Sequence, residues 1–540
     1  MARIQYLNRL LRVKRFVLSG IGLGLSACLC LSGCMTGPDF VPPANESLPT
    51  SFSRPDLMNP SSAKQTDPQT SDAALQADIM RWWEVFEDPT LNQIMATAIE
   101  NNWDVLIATQ RIEEARARAV NAQSQLMPQV SLQPSAVRQQ GGTTDILTGF
   151  GIYNTIALPL NVTWEPDVFG QIRRSTESQV ARVRAAEENR RNVLVALTAE
   201  LAGYYSNVRM FQAQVDYTEK AIEASKRRLA LSRVLLKRGL DSDLNLAQYE
   251  QAYELQQSLL PPLKAQRDWA IYQCAFLTGG FPTDLQTKLE KPAPLLLTRK
   301  PLPSALPSQV LRNRPDIRQA EQVLAASTAN IGVAEAAFMP NFSIPLGTGY
   351  NTTPIGMLLN PASFIWNVAI NITQPLFTGG RLQAGLALAN ATREADRLAY
   401  EKAVRQAVMD VEKALTGFDN YRKQRLTLQD TVSAQQQVFA NNQVLYKVGM
   451  QPEFQFLQSQ IMLNENRISL AQAQNQEAVQ LITLYKAMGG GWQWAAPSAR
   501  SPLDDGMTTA GTLQQIINDN LGARTAPSQA TAIPVAAQKP

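Results

Sequence analysis

The sequence predicts a mainly α protein with a membrane β element, built from two copies of one structural repeat. Three observations predict it. Two proline-free runs, Gln171–Lys237 and about Gly380–Lys447, carry apolar residues at three- and four-residue steps, the period of a helix. At ~1.5 Å per residue each would be a rod of ~100 Å, far longer than the helices of globular domains. Between the rods lie four short segments of alternating pattern, which read as strands. The two halves of the chain also align without large gaps at offsets of 210–212 residues, the mark of an internal duplication.

Taken in order, residues 1–33 read as a leader. Arg3, Arg9, Arg12, Lys14 and Arg15 form a basic start, and Phe16–Leu31 is an apolar stretch too short and too glycine-broken to span a bilayer well. It ends in Leu31-Ser32-Gly33-Cys34, which resembles a bacterial lipobox. Cys34 is therefore the expected lipidated N-terminus. Leu25-Ser26-Ala27-Cys28 fits the same pattern less well, and Met35, not Asp, follows Cys34, as in lipoproteins sorted to an outer membrane. Residues 34–80 hold Pro42-Pro43, Pro49, Pro55, Pro60 and Pro68 and read as an extended segment wrapped over the body.

The first repeat, 81–280, opens with Arg81-Trp82-Trp83 and leads into a helix over about Asn92–Gln125, stopped by Met127-Pro128. Gln129–Gln140 alternates weakly. Asn154–Glu165 alternates well, with Ile156, Leu158, Leu160, Val162 and Trp164 on one face. The long rod follows and ends at Lys237-Arg238-Gly239, a glycine C-cap and tight turn. Asp243–Leu277 is a third helix, and Pro261-Pro262 should kink or split it. Residues 281–312 form a Pro-rich linker.

The second repeat, 313–490, restates the first. Asp104–Ser131 aligns with Asp316–Ser343, matching Gln110 with Gln322, Met127 with Met339 and Pro128 with Pro340. Strands are expected at Asn341–Thr352 and Ser363–Gln374, with Phe364, Trp366, Val368, Ile370 and Ile372 on one face. A rod and a turn at Lys447 and Gly449 follow. Residues 491–540 are rich in Pro, Ala and Thr and read as a partly disordered tail.

Composition excludes much. The 540-residue chain has no histidine, which removes the commonest general base and metal ligand. No carboxylate or lysine constellation, phosphate loop or metal spacing is present, so an enzyme is not expected. The formal charge is +4, but without the five leader cations 45 basic residues face 46 acidic ones, a balance of about −1. No basic patch interleaved with aromatics exists, so nucleic acid is not an expected partner. Three of the four cysteines, Cys28, Cys30 and Cys34, sit at the leader. Cys274 alone lies in the body, as a small buried helix residue.

Lengths suggest how the parts meet. Two short helices of ~50 Å stacked end to end would flank one ~100 Å rod. Strands of ten to twelve residues can cross a bilayer when tilted. Four strands cannot close a barrel, and open edges do not persist in hydrocarbon. A spanning sheet would therefore need several copies: two give eight strands and three give twelve, and a water-filled lumen favours the larger number.

Motifs in one order then carry a family resemblance. They run from Cys34 with Gly37-Pro38-Asp39-Phe40 and Pro42, through Trp82-Trp83, Asp88-Pro89, Trp164-Glu165 and Phe169-Gly170, to Pro261-Pro262-Leu263 and Leu277-Thr278-Gly279. Asn313-Arg314-Pro315-Asp316, Gln374-Pro375-Leu376-Phe377 and Gly379-Gly380-Arg381 complete them. The chain resembles the TolC-like outer-membrane efflux channels, of the NodT-type lipoprotein branch. The resemblance implies a homotrimeric α/β barrel: a 12-stranded outer-membrane β-barrel continued by a 12-helix periplasmic tunnel. It implies passive conduction, a periplasmic adaptor (membrane fusion protein) and an inner-membrane pump as partners, contact with outer-membrane lipid, and no cofactor beyond the lipid on Cys34. The turns at Lys237, Arg238, Gly239 and at Lys447, Gly449 would be periplasmic tips and gate. Where family members often carry pore-ringing acids, this chain has Gln455 and Gln458. Glu453, Asp241 and Asp243 are the acids nearby, so a gate closed by hydrogen bonds and tip packing is expected. The competing class is a periplasmic coiled-coil adaptor or scaffold lipoprotein, which long helices and a lipid would also suit. Paired strands and a doubled architecture speak against it.

Overall fold

The computed structural model describes residues 35–43, 51–53, 79–140, 152–298 and 307–494, with positions 49 and 302 besides. The leader, Cys34, the loop at 141–151 and the tail from 495 lie outside these residues, as does most of the 34–80 segment.

The body starts with one tight turn, Trp82–Phe86, then helices α1 (Pro89–Asn101) and α2 (Trp103–Ser124). Asp88 caps α1 by accepting from the backbone N–H of Thr90 and Leu91 at 2.8 and 3.1 Å, with Pro89 at the first helical position. Strands β1 (Gln129–Leu132), β2 (Ser135–Gln140) and β3 (Ile152–Trp164) precede α3 (Gln171–Lys237) and α4 (Asp243–Leu277). The second half holds α5 (Pro307–Asn313), α6 (Pro315–Ala336), β4 (Asn341–Thr352), β5 (Phe364–Val368), β6 (Asn371–Thr373), α7 (Arg381–Lys447) and α8 (Glu453–Ala487). The rods α3 and α7 are each 67 residues long. Among the described residues no helix is long and apolar enough to cross a membrane.

Three expectations are corrected. The helix read over Asn92–Gln125 is two helices broken at Asn102, whose backbone is extended (φ −65, ψ 130). Its side-chain carbonyl caps α2 by accepting from Asp104 and Val105 N–H, and its amide donates to the Leu277 carbonyl at the end of α4, at 2.9 Å. Each outer strand is also in two pieces. Gln133 and Pro134 interrupt the first, because Pro134 has no N–H to give the ladder, and residues 369–370 interrupt the second. Pro261 and Pro262, finally, lie inside one continuous helix. Their missing N–H groups leave the Gln257 and Ser258 carbonyls without helix donors, and both residues are exposed to water.

The duplication is visible in geometry. Gln129 faces Thr163 in the first hairpin and Asn341 faces Thr373 in the second, positions related by the 212 and 210 offsets. All pairs are antiparallel, and β3 pairs with β4, so the two hairpins form one sheet with β1/β2 at one edge and β5/β6 at the other. The two short helices of each half do meet end to end. Asn102 at the start of α2 binds the end of α4, and Asn313 at the start of α6 donates to the Met488 carbonyl just past α8, also at 2.9 Å. Rod α3 lies among α2, α4, α6 and α8, while α7 touches only α6 and α8 along its length.

The main core sits at mid-rod. Trp82, Leu91, Ile94, Leu201, Tyr205 and Ile271 are buried there, and Trp82 stacks on Tyr485 with ring centres 5.3 Å apart. Tyr205 donates to Asp88 and accepts from Arg209, which fixes α1 against α3. Cys274 is buried as expected, and desolvation pushes its thiol up to about 12.

Candidate functional site: the helical turns and the N-terminal strap

Both rods end in the same way. At the first turn Gly239 N–H donates to Leu236 O and Leu240 N–H to Leu235 O; at the second Gly449 N–H donates to Tyr446 O and Met450 N–H to Leu445 O. This pair of bonds is a Schellman cap, which requires a left-handed residue after the helix. Gly239 and Gly449 supply it with φ of 72 and 75. Lys237, Arg238 and Lys447 are exposed at the ends of the rods, where cations complement the helix dipole.

The two turns differ on the returning side. Ser242 caps α4 by accepting from Asn245 N–H. Asp241 accepts from Ser232 Oγ at 2.6 Å, Asn245 Nδ2 at 2.8 Å and Ser242 N–H at 2.9 Å. These bonds, Ser232's first, hold its carboxyl below the usual aspartate value. Asp243 is exposed one turn on. Helix α8 has no side-chain cap, since Pro452 precedes it, and Glu453 occupies its first turn.

The structure brings the second turn onto the first. Glu453 pairs with Arg227 of α3, and Gln458 accepts from Arg228 of α3. Arg228 also lies 4.8 Å over the Tyr249 ring, and Tyr249 packs on Phe454 with ring centres 5.2 Å apart. Burial lowers the Arg228 pKa, with Tyr249 and Glu465 opposing. Gln455 binds only Gln451, one turn earlier, and does not join this cluster. Arg227, Arg228, Tyr249 and Ser232 escaped the sequence reading. The basic run Lys226-Arg227-Arg228 shortly before Gly239 was the available signal.

A second site also escaped it. Residues 35–39 enter a narrow seat between the halves. Thr36 N–H donates to Phe169 O, and Thr36 Oγ donates to Gly332 O. Arg174, almost fully buried, donates to the carbonyls of Thr36 and Gly37 and to Asp39 Oδ1 at 2.8 Å. Gly37 has φ +86, and a Cβ there would stand 2.4 Å from the Gly332 Cα. Only glycine on glycine fits. Met35 rests on Gly170, at the start of α3. Farther along, Ser53 binds Glu412 of α7 through its N–H and its hydroxyl.

Comparison with known proteins fits this geometry. Residues 94–280 and 306–490 match the family described as outer membrane efflux protein, one match per repeat. The toluene efflux pump outer membrane protein TtgC of Pseudomonas putida is 30% identical over 468 residues, covering 86% of this chain and 93% of that protein. The cation efflux system protein CusC of Escherichia coli O157:H7 is 28% identical over 480 residues, covering 87% and 98%. Among solved structures, the outer-membrane channel OprN superposes with a TM-score of 0.73 at 27% identity, over 85% of this chain and all of that one.

Proposed function

The chain belongs to the outer membrane efflux protein family, and on that footing we propose that three copies close one conduit from the periplasm to the exterior. It is an outer-membrane channel component of an efflux system, extending into the periplasm, and it is not an enzyme. The observation that carries the mechanism is an open four-stranded sheet at the base of 67-residue rods. Three such sheets give a twelve-stranded barrel with no free edge, and the rods and stacked short helices give twelve staves. Nothing in the conduit hydrolyses or pumps. Energy and cargo come from an inner-membrane pump and a periplasmic adaptor, which meets the turns at Gly239 and Gly449. Exposed Leu240, Leu244, Val448 and Met450 supply apolar contact area there.

The clustering of Arg227, Arg228, Glu453 and Gln458 supports a gate at the turns. These contacts hold α8 against α3. Separating them requires two guanidinium partners to be replaced by water or by a docked adaptor. Lipidation at Cys34 is supported by Met35, which sits where strand gives way to rod, the level at which a membrane surface would meet the channel. Single-channel recording of purified trimer in planar bilayers tests the gate: Gln458→Ala should raise open probability and Gln455→Ala should not. Unchanged conductance in Gln458→Ala would remove Gln458 from the gate. Heat-modifiable trimers in outer-membrane fractions test the assembly, and recovery as a soluble monomer would overturn it.

A further inference from the structure

The joint between the two repeats is a template for the joint between copies. Inside the chain, α3 meets α6 and α8 through polar contacts. Glu188 of α3 pairs with Arg318 of α6 and with Arg191, and both arginines lie over the Trp492 ring at 5.4 and 4.9 Å. Ser206 binds Asn475 of α8 at 2.6 Å. Rod α7 is the repeat of α3, yet it buries 9 residues where α3 buries 28. It lacks the neighbours that α6 and α8 provide to α3.

The repeat offsets say what that missing neighbour is. The counterparts of α6 and α8 are α2 and α4, so α7 should receive α2 and α4 of another copy. The open faces match. On α7, Leu388, Leu398, Met409 and Val438 are exposed, whereas their α3 counterparts Ser178, Glu188, Ala199 and Arg228 are buried. On α2, Trp103, Leu106 and Val120 are exposed, where α6 carries Pro315, Arg318 and Gly332. The positions equivalent to the Glu188–Arg318 ion pair are Leu398, 52% exposed, and Leu106, 43% exposed.

A cavity fixes the register further. Pro315 lines one pocket together with Asn192 and Val195. Shifted by one repeat, this places Trp103 beside Lys402 and Arg405. Those two residues line a notch of about 310 Å³ on α7, bounded by Leu398 and Met409. An indole there would have apolar walls and two cations near its faces.

We propose that neighbouring copies meet with Leu106 of one against Leu398 of the next, and with Trp103 seated in the notch between Leu398 and Met409. This rests on the ring reading above and deepens it. The contact is heterologous, so copies join head to tail and close a ring. The chemistry suits the two kinds of joint. The internal joint forms within one chain and can hold a buried ion cluster. A joint between separately made copies would have to desolvate such charges at every encounter, and apolar pairs avoid that.

Cysteine pairing tests it in the full-length chain with Cys274→Ala, keeping Cys34. Leu106→Cys with Leu398→Cys should give disulfide-linked dimers and trimers on mild oxidation, while each single variant gives none. Leu106→Cys with Val438→Cys, far apart along the rods, should also give none. An amine cross-linker run in parallel reports whether any ring exists. Rings without the Leu106–Leu398 disulfide would overturn the proposed register and leave the ring standing. Self-linking of either single variant would overturn head-to-tail contact. If the amine cross-linker traps no oligomer, the ring reading fails and the proposal with it. Circular dichroism of each variant confirms the fold, and Trp103→Ala should reduce the SDS-resistant ring several-fold.

Discussion

Replacing Asn102 by alanine should cost the fold about 2–4 kcal/mol. The magnitude follows from two separate jobs. The Asn102 side-chain oxygen caps α2 at the Asp104 and Val105 N–H groups, 2.9 and 3.2 Å away, and losing such a cap costs about 1 kcal/mol. Its amide donates to the Leu277 carbonyl in a buried setting, and stranding a buried acceptor costs about 1–3 kcal/mol. Asn102→Asp separates the two, because aspartate still caps but has no N–H for Leu277. It should recover the cap share and no more. Urea unfolding of the detergent-solubilised protein, followed by helical circular dichroism at one fixed protein concentration, measures both. If Asn102→Ala shifts stability by less than about 0.5 kcal/mol, the end-to-end junction of α2 and α4 does not hold the rods as described.

Three other outcomes are expected. Burial holds the Glu188 carboxyl above its ordinary value of 4.5, against the pull of Arg318 and Arg191, so its contribution is fully present below pH 4.5 and is lost as pH rises through the raised value. Stability of wild type relative to Glu188→Gln should therefore fall from pH 4 towards neutrality, and a flat difference would contradict this. Gly37→Val meets both a left-handed backbone and the Gly332 backbone. It should release the strap, read as new protease cleavage within residues 35–53 while the 81–490 body stays intact. Cys274, buried and with its thiol pushed up to about 12, should resist maleimide in the native protein and react fully in denaturant.

Much of this architecture was legible because it repeats. Rod α3, helix α4 and strand β4 have the bounds that periodicity, turn glycines and the second copy indicate. The break at Asn102 was hidden, since an asparagine inside an amphipathic run looks like any solvated position. Its partner, Leu277, is 175 residues away. The proline pair misled in the opposite direction, because its cost is small where the orphaned carbonyls face water. At the turns, the glycines and the acids could be read from spacing. The Arg228–Gln458 and Arg227–Glu453 ties could not, because they join α3 to α8 across 230 and 226 positions and depend on how the two halves are laid together. The seat of Gly37 on Gly332 has the same origin: neither glycine follows a helix or sits in a turn motif that would mark it.

The uninterrupted passage of α4 through Pro261-Pro262 has a mechanical consequence. Two adjacent hydrogen bonds are missing there, about 27 Å from the turn at ~1.5 Å per residue. The counterparts in α8 are Ala471 and Gln472, which keep their N–H groups. Bending stiffness is thus unequal between two otherwise matched staves. In a ring of three chains, soft and stiff staves would alternate, and any flexing load would concentrate at three points instead of spreading over six.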